Sequence, residues 1–523
     1  MIETCSWRDL PFLEENRLFL DYIDGKDQAL SFYTHGPTDY IASLEARQGY
    51  AYPREGAAEL LAAYNRERGA SAQTMAAIEA LREADTYIVI GGQQAGLLGG
   101  PVYAAYKILS TIRLARQLSE QLGVTVAPVY WLASEDHDFG EINHAQYIRE
   151  DGEIGRVSFD WRDKGRPIAD LTVTDEVREA LDEYWEAMPE APSAEETQQL
   201  FAPNTERYCD WLASLFLRLF ADDGLILVEP HVLRPLAGDL FCEMIQQHGT
   251  IQEQMEYVAA RLEQAGYQAL LSTDSAGLMY TFAPDGRRVR IEDPDKAAPD
   301  AGERPGRYST DAALRALFAD SVLPVLASTL GAGEIAYQGM LKPLYELFGV
   351  PQPLLFPRKS YTIVSSEERE RLRAYNITPH QMLADELDRD AILRSRMPAE
   401  DLARFDQARE QVQDALAPLK PYLEELDPNM GRTWQQAVNT ALRNIDKLEE
   451  RAINSKLSRA GYSRHELQSL CNKLVPRGRP QERELPLSHF IRRFGTGFVE
   501  AMGEAGDLEV FGHDVVTLEG EHA

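Results

Sequence analysis

Positive charge is scarce in this chain. Its 523 residues carry 53 Lys and Arg against 84 Asp and Glu, a formal net charge of −31 at pH 7. Nucleic acid and anionic membranes are bound through a positive footprint, so both are disfavoured as partners, although a local basic pocket stays compatible with this balance. Cysteine is scarcer still. Cys5, Cys209, Cys242 and Cys471 lie far apart and form no Cys-x-x-Cys. That argues against a disulfide framework and a structural zinc site, and each reads as an inert thiol. No apolar run approaches the roughly 18 residues that a membrane-spanning helix needs. Met1–Leu10 lacks the basic-then-apolar order of a secretion signal. A cytoplasmic, reducing setting is therefore expected. Glycine (36) and proline (28) are not enriched, which excludes collagen-like and low-complexity classes. What remains is an ordinary globular composition, 44% hydrophobic, long enough for a large core in more than one domain.

The punctuation of the chain predicts an α/β protein. Residues 1–85 read as mainly helical. Tyr87–Ile90 is a short β-branched apolar run, followed by a glycine-rich loop, Gly91–Pro101, then a helical pattern from about Val102 to Leu122 that ends at Gly123. Val124–Leu132 reads as a second apolar strand. Strand, helix and strand in that order make a βαβ unit with a right-handed crossover and a parallel sheet. Gly224–Val228 and Gln352–Phe356 are further buried-strand candidates. Leu278–Phe282 and Arg287–Ile291 flank Pro284-Asp285-Gly286 as a hairpin, and 292–307 reads as a polar loop.

After Ser365 the composition turns helical. Leu402, Phe405, Val412, Leu416, Leu419 and Leu423 fall on steps of three, four or seven, as do most of Trp434, Ala437, Ala441, Ile445, Leu448, Ala452 and Leu457. Joined by Asp427–Gly431, these form an antiparallel helical hairpin, either a projecting coiled coil or a helix pair packed on the core. Pro418 and Pro421 should kink or break its first helix. The expected division is a core over 1–365 with insertions at about 150–222 and 275–320, a coiled-coil domain over 366–465, and a C-terminal segment over 466–523 packing back on the core. Asp514–Leu518 is a strand candidate in that segment.

Two loops at the ends of predicted parallel strands carry the chemistry, because open α/β sheets bind ligands in the crevice there. The Gly91–Pro101 loop either holds a polar or anionic ligand, aided by Gln93 and Gln94 and the following helix N-terminus, or simply makes a tight turn. The second loop places Glu135, Asp136, His137, Asp138, Glu141, Asn143 and His144 within ten residues. Such a cluster can supply a general base, grip an ammonium group or bind a metal; its spacing fits no tight zinc signature, and no metal ligands are assigned. Gly331–Gln338 puts Glu334 and Tyr337 on one helical face, or is a glycine turn opening a packed helix. Arg358 and Lys359 end a strand as two cations. His231 and Arg234 are further crevice candidates, and Trp131 reads as core. On the residues alone an amide ligase, a metal-dependent hydrolase using Glu135–His144, and a ligand-binding coiled-coil scaffold remain open.

Three motifs narrow this. Gly91-Gly-Gln-Gln-Ala-Gly-Leu-Leu-Gly-Gly-Pro-Val-Tyr103, Trp131-Leu-Ala-Ser-Glu-Asp-His-Asp-Phe-Gly-Glu-Ile-Asn-His144 and Gly333-Glu-Ile-Ala-Tyr337 resemble the cysteine ligase family of bacillithiol biosynthesis. Leu341-Lys-Pro, Phe348-Gly-Val-Pro and Pro357-Arg-Lys-Ser360 match as well. The resemblance implies a Rossmann-like core similar to class I aminoacyl-tRNA synthetases, with connecting insertions and a coiled coil that dimerises. It also implies addition of L-cysteine to the glucosamine amine of glucosaminyl malate; joining a carboxylate to an amine needs activation of the carboxylate, most simply by ATP with Mg²⁺. In that chemistry Asp136, Asp138 or His137 orients the amine and removes its proton, which makes these three the catalytic candidates. Gln93, Gln94, Gly96, Gly99, Gly100, Tyr103, Lys107, Glu135, Asn143, His144, Glu334, Tyr337, Arg358 and Lys359 become nucleotide- or substrate-binding. The chain departs from the pattern at Gly91, where threonine is common, and at Leu98, where an aromatic is. Gly331-Ala-Gly333 replaces a Gly-Gly-Pro-Gly-like turn, and Asp311-Ala-Ala-Leu-Arg-Ala316 keeps only Arg315 of an Asn-x-x-x-Arg-Pro segment.

Overall fold

Five short apolar runs pair side by side in the computed structural model, which describes residues 1–136, 138–273, 277–385 and 387–519. They are β1 (Thr86–Gln93), β2 (Thr125–Leu132), β3 (Ile226–Val228), β4 (Val325–Leu330) and β5 (Leu354–Pro357). All neighbours are parallel and the order is β3-β2-β1-β4-β5. Ile88 and Val89 of β1 and Leu326 and Ala327 of β4 are fully buried. Strands covered on both faces read as continuous apolar runs, not as alternating ones. Helix α1 (Tyr103–Leu122) links β1 to β2 and stops at Gly123, whose φ of +66° is the left-handed end that glycine adopts without strain. The chain builds outward from β1 to β3, then returns to lay β4 on the other side of β1. That reversal makes β1/β4 the topological switch point, where the C-terminal strand ends splay into a crevice. Helix α2 (Ala332–Gln338) leaves the end of β4 over this crevice.

The strand at the switch point escapes the sequence reading. In Val325-Leu-Ala-Ser-Thr-Leu330 the apolar run is diluted by Ala327, Ser328 and Thr329, which are small because they pack in the middle of the sheet. The hairpin is present as Met279–Phe282 against Arg288–Arg290, with Tyr308–Thr310 added on the free side of the first strand. The expected polar loop that follows is in part a helix, Pro294–Glu303. Asp293 caps it by accepting the Lys296 N–H, and Pro294 fits its first turn. A separate three-stranded sheet joins β6 (Ser360–Ser365) in parallel to β7 (His513–Leu518), and β7 runs antiparallel to Ile2–Cys5.

The chain divides into two units. One holds residues up to 150, 154–366 and from 478 onward; the other holds 151–153 and 367–477. In the second, α3 (Ala399–Leu416) and α4 (Leu419–Leu426) lie along α5 (Met430–Arg459). The break between α3 and α4 falls at Pro418, as its missing N–H requires. The Leu416 carbonyl at the break accepts the Trp434 indole N–H from α5 at 2.7 Å. Arg409 of α3 pairs with Asp446 of α5 at 3.0 Å and also with Glu449. Among the described residues no helix is long and apolar enough to cross a membrane.

Candidate active site

A cavity of about 320 Å³ opens at the switch point. Its walls come from the ends of β1 (Gly91, Gly92, Gln93, then Gln94), β2 (Trp131, then Ala133 and Asp136), β4 (Ser328, Leu330), α2 (Glu334, Tyr337, Gln338) and the helix Ala312–Val322 (Arg315, Asp320). Five of the residues expected from the sequence, Gln93, Gln94, Asp136, Glu334 and Tyr337, therefore meet here.

Lys107 organises them from behind. It projects from α1, is 1% exposed, and its Nζ donates to Gly92 O (2.7 Å), Gln93 Oε1 (3.1 Å) and Glu334 Oε2 (2.7 Å). Burial pulls the Lys107 ammonium below its ordinary pKa, opposed by Glu334. Burial pushes Glu334 the other way, but Lys107, the Gly331 N–H (2.7 Å) and Arg358 outweigh it and hold the carboxyl low. The pair is thus a fixed dipole. At the other wall Gln94 Nε2 donates to Asp136 Oδ2 at 2.9 Å, fixing that carboxylate. Glu141 lies beside it, and partial burial together with the like charges of Asp138 and Asp136 raises its pKa. Burial pushes the Tyr337 hydroxyl up to about 12, so it stays a donor at neutral pH.

Three lining residues carry a buried polar atom with no hydrogen-bond partner among the described residues: Gln94 Oε1, Trp131 Nε1 and Gln338 Oε1. Buried polar groups are nearly always satisfied, so donors and acceptors waiting at one cavity point to a polar ligand there.

The remaining candidates lie outside the cavity lining. Gly99 and Gly100 (φ +84° and +71°) turn the chain, and a Cβ on Gly96 would meet Gly100 Cα at 2.5 Å. The loop amides bond within the protein: Leu97 N to Ile142 O (3.0 Å), Gly100 N to Leu97 O (3.0 Å) and Val102 N to Leu485 O (2.8 Å). Tyr103 lies under Arg358 and Arg483, 5.2 and 5.8 Å from its ring centroid. Arg358 forks onto Glu482 at 2.7 and 3.1 Å, and Lys359 pairs with Asp514 at 2.7 Å. These groups do not fit a triphosphate as they stand, because their amides and charges are already matched. Glu135 is buried against Arg234 (2.6 Å). Asp138 is exposed and accepts the Gly140 N–H at 3.2 Å. Asn143 donates to Phe159 O at 3.1 Å, and His144 opens a strand opposite Ser158. His231 lies 3.7 Å from Glu229. His137 lies outside the described residues. Among the described residues no three His, Cys, Asp or Glu side chains are grouped to hold a metal.

Arg315 is the residue the sequence reading passed over. Its signal was survival: it is the matching position left in a segment that otherwise departs from the pattern. Trp131, read as core, is buried and still lines the cavity.

Comparison with known proteins gives two family matches. Residues 6–359 match "Bacillithiol biosynthesis BshC, N-terminal Rossmann-like domain", and residues 361–518 match the C-terminal coiled-coil domain of the same family. Proteins named "Putative cysteine ligase BshC" from Geobacillus thermodenitrificans and Geobacillus kaustophilus are each 30% identical, over 95% of this chain and 96% of theirs. One from Bacillus cytotoxicus is 28% identical over 92% of this chain and 94% of its own.

Proposed function

Because the chain belongs to the bacillithiol biosynthesis BshC family, we propose that it is a ligase joining the carboxyl of L-cysteine to the glucosamine amine of glucosaminyl malate. The observation that carries the reading is the switch-point cavity, where the family's motif residues converge on one small polar space. The new bond runs from the amine nitrogen to the carboxyl carbon; a carboxyl C–O bond breaks, its oxygen departing on the activating co-reactant, and the amine gives up a proton. In this reading Asp136, whose carboxylate Gln94 holds, orients the amine and accepts that proton. Glu141 adds negative charge that favours an ammonium group at the same wall. The Lys107–Glu334 pair keeps Gln93 and the end of β1 rigid. The groups expected to cradle ATP and Mg²⁺ are engaged by the protein itself. A carboxylate anion still needs activation by a co-reactant.

The reading is tested with purified protein, L-cysteine and glucosaminyl malate, assayed by mass spectrometry with ATP and Mg²⁺ present or omitted. The expected result is the condensation product, formed only in the complete mixture with release of AMP or ADP. Absence of product in every arm overturns the reading. Product without ATP keeps the ligase and overturns ATP as the activator. We further propose a homodimer through the helical hairpin, supported by the apolar side chains exposed on α4 and α5.

A further inference from the structure

We infer that Arg315 is the group that holds a substrate carboxylate in this cavity, with the Tyr337 hydroxyl beside it. The inference rests on the ligase reading and assigns a residue within the same site. Arg315 sits on the first turn of the helix Ala312–Val322, and its N–H bonds to Asp311 O at 3.0 Å. The Asp311 side chain is occupied by the Leu314 and Leu278 amides at 2.8 and 3.1 Å. Arg315 is half-buried in the cavity wall, its side chain next to Tyr337 of α2.

Of the other cations around the crevice, four have a carboxylate partner, Lys107 with Glu334, Arg234 with Glu135, Arg358 with Glu482 and Lys359 with Asp514, and a fifth, Arg288, spends its guanidinium on Ser309 Oγ and Thr310 O. Arg315 forms no ion pair within 4 Å among the described residues. In a chain of net charge −31 a cation left unmatched in a cavity is set apart for a ligand. Its planar fork suits a carboxylate, which it can grip with two parallel hydrogen bonds. Asp136 and Glu141 line the same cavity, so the space is polarised, negative where an ammonium would lie and positive at Arg315. That is the complement of an amino acid zwitterion or of an amino sugar bearing an acid. Two carboxylates qualify, the α-carboxylate of cysteine and the malyl group of the acceptor.

The test is isothermal titration of the full chain and of Arg315→Met, Arg315→Lys and Tyr337→Phe. Two ligand pairs are used: L-cysteine against cysteamine, and glucosaminyl malate against methyl glucosaminide. Arg315→Met is expected to weaken binding of one carboxylate ligand about ten- to hundredfold, and to leave its carboxylate-lacking counterpart unchanged. Arg315→Lys should recover part of the loss. The ligand affected identifies which carboxylate is held. Unchanged affinity for both carboxylate ligands, or equal losses for the counterparts, overturns the inference and leaves the ligase reading standing. Wild-type protein that binds neither substrate overturns that reading, and this inference with it. Where Arg315→Met does not fold, Tyr337→Phe carries the test, with a several-fold loss expected for the carboxylate ligand alone.

Discussion

Asp320 is a carboxyl held where a carboxylate is costly. It is 3% exposed at the inner end of the cavity wall and accepts a hydrogen bond from Tyr345. Burial pushes its pKa from 3.8 to about 7, against the pull of Tyr345 and the Arg47 guanidinium. Because the folded value is raised, the folded chain keeps a proton that the unfolded chain has released between those two values. The stability this confers is complete below pH 3.8 and falls away as pH rises toward 7, by a few kcal/mol on the order of magnitude set by linkage. Asp320→Asn keeps the acceptor and removes the titration. Its melting temperature should therefore rise relative to wild type between pH 5 and pH 8; parallel curves would show that Asp320 does not titrate in this window. Gly91 illustrates the opposite economy of space. A Cβ there would lie 2.6 Å from Thr329 Oγ1 and closer still to Thr111 Oγ1. Two threonine hydroxyls, hydrogen-bonded to each other, thus fill the room that a side chain at 91 would take.

Side chains can finish a sheet edge where no strand is available. β6 is an edge strand, and the short helix α6 (Gln481–Glu484) lies against it. Gln481 Oε1 accepts the Ile363 N–H at 2.8 Å and its Nε2 donates to Ile363 O at 3.0 Å, as a neighbouring backbone would. Glu482 Oε2 accepts the Tyr361 N–H at 3.1 Å while the same carboxylate takes the Arg358 fork. An edge satisfied in this way offers nothing to a stray strand. Glu482→Gln leaves a buried guanidinium without its counter-charge, and should cost about 3–5 kcal/mol in urea unfolding. Gln481→Ala loses two neutral hydrogen bonds, and should cost less, about 1–3 kcal/mol. Equal costs would mean that the charge pair contributes no more than the amide does.

At the scale of the whole molecule, the apolar surface left on the helical hairpin is the open question for assembly. Leu419, Tyr422 and Leu426 are 47%, 59% and 60% exposed and fall on steps of three and four along α4, and Leu448 of α5 is 60% exposed. Light scattering on the eluting protein should give twice the 58.8 kDa chain mass. Leu419→Glu with Leu426→Glu should halve that mass and leave the circular dichroism unchanged. A monomer in the wild type, or a dimer that survives both changes, would place the interface elsewhere or remove it.

Residue pattern and spacing alone carried the class of fold and the neighbourhood of the site. β1, α1 and β2 were legible because a buried parallel strand must be a continuous apolar run and a helix stop needs glycine at Gly123; Pro418 announced the break in the hairpin by its missing donor. Gln93, Gln94, Asp136, Glu334 and Tyr337 were legible because they lie at the ends of such strands or at the start of the helix that follows. Which of the candidates face one another follows from the packing of the folded chain. β4 was hidden because its centre is small and polar by composition, and without it the switch point has no second wall. Arg358, Lys359, Glu135, Asn143 and His144 have the residue types of a site, yet each is engaged by a partner distant in sequence or by its own strand pairing. Arg315 has the same chemistry as Arg358 but forms no ion pair within 4 Å among the described residues, where Arg358 has Glu482. Charge and hydrogen-bonding capacity are written in the sequence, but whether they are already satisfied depends on contacts between residues hundreds of positions apart.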